Sequence, residues 1–60
     1  MLEQIIGMEK QEAIDFLHSK GMTVRIAEED GVVNNLVNDY TPSRVDIVIK
    51  NGRIASFIQG

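Results

Sequence analysis

The fold class the sequence predicts is α+β: one helix packed on a small mixed three-stranded sheet, with a long exposed loop. Three observations predict it. Residues 8–20 carry a helical apolar stripe, residues 23–27 and 45–50 alternate in the manner of strands, and Asn51-Gly52 is a hairpin turn signal. A chain of 60 residues holds one domain, 1–60, because so short a chain buries only a modest share of its unfolded surface. With no cysteine to staple it, the domain must rest on one compact core. The same absence leaves the compartment open.

The helix comes first. Ala13, Ile14, Phe16 and Leu17 recur at the spacing of one helical face, with Glu9, Glu12 and Asp15 offset from it. Acids in the first turn suit the positive end of the helix dipole. Lys20 followed by Gly21 supplies the stop, and Gly7 marks the entry.

The strands come next. Val24 and Ile26 share one face of residues 23–27, and Val45, Ile47 and Ile49 share one face of residues 45–50. A two-residue type I′ turn needs positive φ at both central positions, which Asn51 and Gly52 tolerate. Lys50 and Arg53 therefore flank a hairpin whose second strand, 53–58, sends Ile54 and Phe57 to the core. Segment 23–27 is expected to lie parallel to 45–49, because the intervening chain is long enough to return to the same end of the sheet.

Residues 30–42 remain as a loop. They mix Gly31, Asn34, Asn35, Asn38, Asp39 and Pro42 with Val32, Val33, Leu36, Val37 and Tyr40. Loops of such length in small domains are usually functional or disordered, and the aliphatic content argues against disorder. The segment reads as something presented to a partner, although Asn38-Asp39-Tyr40 could also be a polar turn with Tyr40 folded onto the core.

Several function classes are disfavoured. The net charge is −3 and the six Lys and Arg residues are scattered among nine acids, whereas nucleic acid calls for clustered cations. No apolar run reaches the length of a membrane span, and residues 1–7 lack a secretory signal pattern. Glu28-Glu29-Asp30 lacks the ligand spacing of a calcium loop, so it reads as a solvated acidic turn and no metal or cofactor is expected. His18 is the only histidine, and no arrangement sets a base beside Ser19, Ser43 or Ser56. An enzyme is not expected.

The order of features resembles a known family. Ile6-Gly7 followed by Gln11-Glu12-Ala13 is similar to the helix start of potato inhibitor I proteins, the eglin-like serine protease inhibitors. Asp39-Tyr40 followed by Arg44-Val45 is similar to their acid-aromatic pair and loop-base arginine. Gly52, Ile54, Phe57 and Gly60 resemble the closing hairpin of the related small microbial peptidase inhibitors.

That resemblance implies a substrate-like loop lying in a protease active site, preordered so that less entropy is lost on docking. It implies a binding loop of Leu36, Val37, Asn38, Asp39 and Tyr40, with Asn38 or alternatively Leu36 filling the specificity pocket. It implies Arg44 as a brace reaching Asp39 or a loop carbonyl. The implied partner is a subtilisin-like or chymotrypsin-like serine protease. The sequence departs from the family pattern at Val37, where threonine is usual, and at Asp46, where a second basic residue is common. The alternative is a non-inhibitory protein-interaction domain on the same scaffold. A homodimer formed through the 23–27 strand edge is a third possibility.

Overall fold

A computed structural model describes residues 2–60. A 3-10 turn at Leu2–Ile5 leads into the helix α1 (Lys10–Ser19), followed by strands β1 (Thr23–Glu29), β2 (Val32–Val33), β3 (Arg44–Lys50) and β4 (Arg53–Gln59). The strands form one mixed sheet in the order β2-β1-β3-β4. β1 and β3 are parallel, while β1–β2 and β3–β4 are antiparallel. The helix lies on one face of the sheet, giving a two-layer α+β architecture.

α1 starts two residues later than the apolar stripe implies, and the cause lies in β4. Gly7 N–H donates to Ile54 O at 2.9 Å and Ile54 N–H donates to Met8 O at 2.9 Å. Residues 7–9 are thus drawn out along β4, and Glu9 bridges to Arg53. Lys10 N–H, an orphan donor of the first turn, is satisfied by Gly52 O at 2.9 Å. At the other end Met22 N–H reaches Leu17 O at 3.0 Å and Gly21 N–H reaches His18 O at 2.9 Å. With Gly21 at φ 77°, this is a Schellman stop, and it ends the helix where the Lys20-Gly21 pair places it.

The core is a sandwich of α1 and the inner face of the sheet. Ile5, Ala13, Leu17, Val45, Ile47 and Ile49 are fully buried and Ile54 nearly so, with Phe16, Val24, Ile26 and Phe57 packed around them. The alternation of β3 sends every second residue inward, and Arg44, Asp46 and Val48 are left on the open face.

The sheet has four strands, not three. Asp30 and Gly31 both adopt positive φ, 50° and 84°, and turn the chain back so that Val33 pairs with Glu28 and Val32 with Glu29. Asp-Gly is itself a hairpin signal, but β2 spans only two residues and neither valine is buried, so no apolar alternation announces it. Glu28 and Glu29 accordingly belong to β1 and only Asp30 to the turn. The loop is shortened to residues 34–43.

A bulge at Ala27 in the β1–β3 ladder shifts the facing of Glu28 and Glu29, as one extra residue must. Glu29 then lies on the helix side, where Lys10 Nζ donates to its two carboxylate oxygens at 3.1 and 3.2 Å. The second turn carries the expected conformation, with Asn51 at φ 53° and Gly52 at 75°. Asn51 N–H donates to Asp30 Oδ1 at 2.8 Å, so the two turns are tied together at one end of the sheet.

β1 is not an edge strand along its whole length. β2 covers Glu28 and Glu29, and Asn34 continues along it through N–H to Ala27 O at 2.9 Å and Nδ2 to Ile26 O at 2.8 Å. The edge expected at 23–27 is therefore reduced to its first residues.

Candidate functional site

Residues 34–43 leave β2, follow the outer side of β1 and arrive at the start of β3. Asn34 fixes the departure by its two bonds to β1. At the return, Arg44 N–H donates to Thr41 O at 3.0 Å, Thr23 N–H to Ser43 O at 2.9 Å, and Gln59 Nε2 to Pro42 O at 3.0 Å.

The tip between these anchors is held by two arginines from parallel strands. Arg25 of β1 donates from Nη1 to Val37 O at 3.1 Å. Arg44 of β3 donates from Nη2 to Asp39 O and to Asp39 Oδ1, both at 2.9 Å. Asp39 N–H also donates to Val37 O at 3.0 Å, a three-residue turn with Asn38 at its apex. Among the described residues, the N–H and C=O of Asn38 have no intramolecular partner.

Asp46 orients the arginines from below. It accepts a forked pair from Arg25, Nε to Oδ1 at 2.8 Å and Nη2 to Oδ2 at 2.9 Å. It also lies 3.9 Å from Arg44 Nε, a buried donor that finds no hydrogen-bond partner. Arg25 Nη1 comes within 3.6 Å of Asp39 Oδ1. Two cations and two anions thus alternate in a closed ring: Asp39, Arg44, Asp46 and Arg25.

The ring perturbs its acids in one direction. The hydrogen bond from Arg44 holds Asp39 below the usual carboxylate range against an opposing cost of burial, with the charges of Arg44 and Arg25 adding to the lowering. The Arg25 hydrogen bond does the same for Asp46, and the same bond, donated to Asp46, raises the guanidinium of Arg25 in turn. Carboxylates depressed in the folded state stabilise it above the unfolded value of about 3.9, and that contribution fades as pH falls through the depressed folded values. Acidification from pH 6 to pH 2 is therefore expected to loosen residues 37–40 before the core. Backbone NMR relaxation across that range measures it, and a tip that stays ordered at pH 2 while the ring carboxylates protonate would contradict it.

Of the residues singled out in sequence, Val37, Asn38, Asp39 and Tyr40 are exposed, whereas Leu36 is half-buried. Val37 and Tyr40 are each 74% exposed, so Tyr40 is not folded into the core. Its ring instead lies over Gly60, so close that a Cβ added there would meet ring carbons at 2.8 Å. Arg44 points into the loop, with its side chain only 13% exposed. Sequence reasoning missed Arg25, Asp46 and Asn34 as loop supports. A signal was present, since opposite charges at Arg25 and Asp46 fall on strands expected to pair in parallel, and their Cα positions are indeed partners.

Among the described residues, no three His, Cys, Asp or Glu side chains cluster so as to hold a metal ion, and no helix is long and apolar enough to cross a membrane. Comparisons with protein-family models, with curated proteins and with solved structures find no match to this chain. The molecule is thus defined by its architecture: a small α+β domain with a four-stranded mixed sheet that braces one loop from below.

Proposed function

We propose that the protein is a serine protease inhibitor of the potato inhibitor I kind, docking residues 36–40 in a subtilisin-like or chymotrypsin-like active site. One observation carries the reading: Arg25 and Arg44 hold the carbonyls of Val37 and Asp39, while the N–H and C=O of the exposed Asn38 between them have no intramolecular partner among the described residues. A peptide that docks as an added strand offers the backbone groups of alternate residues to its partner. A tip already held by two arginines loses little entropy on binding, so more of the contact energy becomes affinity. The protein acts in this reading by occupying a site and carries out no reaction of its own.

The test is an inhibition assay of the purified protein against subtilisin-like, chymotrypsin-like and trypsin-like enzymes, beside Arg44→Ala. Inhibition of one of the first two is expected, weakened about tenfold or more in the variant, as for one lost hydrogen bond to a charged group. No inhibition of any of the three would sink the proposal.

A second reading has its own support. Val32 and Val33 are 67% and 70% exposed on edge strand β2, and exposed strand edges pair readily with other chains. On this reading the scaffold is an interaction domain that binds a protein partner or a second copy of itself. A concentration-dependent rise in mass by sedimentation, abolished by Val32→Lys, would favour it.

A further inference from the structure

We propose that Arg25 is a second positioning residue of the loop, aimed by Asp46, so that the shape of the tip is set jointly by β1 and β3. The proposal rests on the protease-binding reading only for its biological consequence; the positioning itself is a property of the free protein.

The geometry divides the guanidinium of Arg25 into two jobs. Nε and Nη2 form a fork on the two oxygens of Asp46 at 2.8 and 2.9 Å, and the remaining terminal nitrogen, Nη1, donates to Val37 O at 3.1 Å. A planar guanidinium held at two corners has little freedom at the third. Asp46 therefore fixes where Nη1 points, and Nη1 fixes the carbonyl that precedes Asn38. The position of the fork comes from the strand register, since Arg25 and Asp46 are Cα partners on the parallel pair. Both side chains are mostly covered, at 22% and 15% exposed, which limits exchange with water.

The groups facing the fork come from each neighbouring element. Asp39 on the loop lies 3.6 Å from Nη1, and Arg44 on β3 lies 3.9 Å from Asp46. On β4 the register partner of Asp46 is Ile58, which carries no charge. Asp39 approaches Nη1 and not the fork, so among the described residues Asp46 alone holds Nε and Nη2, and Arg44 supports the other side of the tip. Each arginine holds one carbonyl of the tip, Val37 O or Asp39 O, and neither reaches the other's.

A purely structural ion pair would keep its attraction with lysine at position 25. A positioning pair would not keep its geometry, because a single ammonium cannot fork onto both oxygens of Asp46 and still present a fixed third donor to Val37 O. The test compares three proteins without any protease present: wild type, Arg25→Met and Arg25→Lys. Urea midpoints report the sheet and backbone order parameters report the tip. In the wild type, Val37 and Asn38 are expected near the rigid value of about 0.85. In Arg25→Met, which keeps the apolar stem, they are expected to fall below about 0.6. Arg25→Lys, which keeps the charge without the fork, is expected to keep the wild-type urea midpoint and still lose order at Val37 and Asn38.

Order retained at Val37 and Asn38 in either Arg25→Met or Arg25→Lys would overturn the proposal. Failure of the protease assay, with these order changes observed, would overturn the inhibitor reading and leave the positioning role of Arg25 standing.

Discussion

Ile47→Ala is expected to cost about 2–5 kcal/mol, the range for truncating a large aliphatic side chain in a core. Ile47 is fully buried at the centre of β3, which pairs with β1 on one side and β4 on the other, so the cavity would open where collapse is hardest. A domain of this length has a total stability of roughly 3–9 kcal/mol at typical values per residue. The substitution therefore removes much of it, and a fall in Tm on the order of 10 °C or more is expected by circular dichroism. Ile58→Ala is the control. Ile58 is 71% exposed on the open face, and surface changes of this kind usually stay within about 0.5 kcal/mol. Equal effects of the two substitutions would mean that the core is not where the sheet places it.

On the inhibitor reading proposed above, Asn38→Leu carries the largest expected effect on binding. Subtilisin-like and chymotrypsin-like pockets reward an apolar side chain, and Asn38 offers an amide. Filling such a pocket is worth about 1–3 kcal/mol, or roughly ten- to two-hundredfold. The geometry favours Asn38 over Leu36 as the pocket residue, because Asn38 is exposed between two held carbonyls while Leu36 is half-buried. Weak inhibition by the wild type and a strong gain in Asn38→Leu are therefore expected in a subtilisin-like assay. Leu36→Ala should change inhibition much less. The opposite ranking, with Leu36→Ala abolishing inhibition and Asn38→Leu neutral, would move the register of the loop by two residues.

The legibility of each element in the sequence tracks the range of the interactions that form it. The helix, its stop at Gly21, the Asn51-Gly52 turn and the alternating strands all depend on neighbours within a few residues. Each is where local chemistry puts it. The helix start moved because Gly7 and Met8 bond to Ile54, a partner far along the chain. β2 went unread because two exposed valines leave no burial pattern, although Asp30-Gly31 was itself a turn signal.

Loop support divides in the same way. Arg44 could be found from the resemblance because it lies close to Asp39 in sequence, whereas Arg25 reaches Val37 only through the parallel register. By the resemblance, Asp46 stands where a second basic residue is common. Beside β1 it is the acceptor that aims Arg25. A strand-by-strand reading could not see this, since the brace is spread over two strands that are sequentially distant.

Both arginines grip main-chain oxygens, which every amino acid carries. The outline of the tip is therefore dictated from outside the tip, and within the tip Asp39 alone adds a side-chain contact to these arginines. Recognition and support are written in different parts of the chain, so the exposed residues Asn35, Val37 and Asn38 are free to diversify without redrawing the curve they trace. A library randomised at those positions, with Arg25, Asn34, Asp39, Arg44 and Asp46 kept, would present many side-chain sets on one fixed backbone.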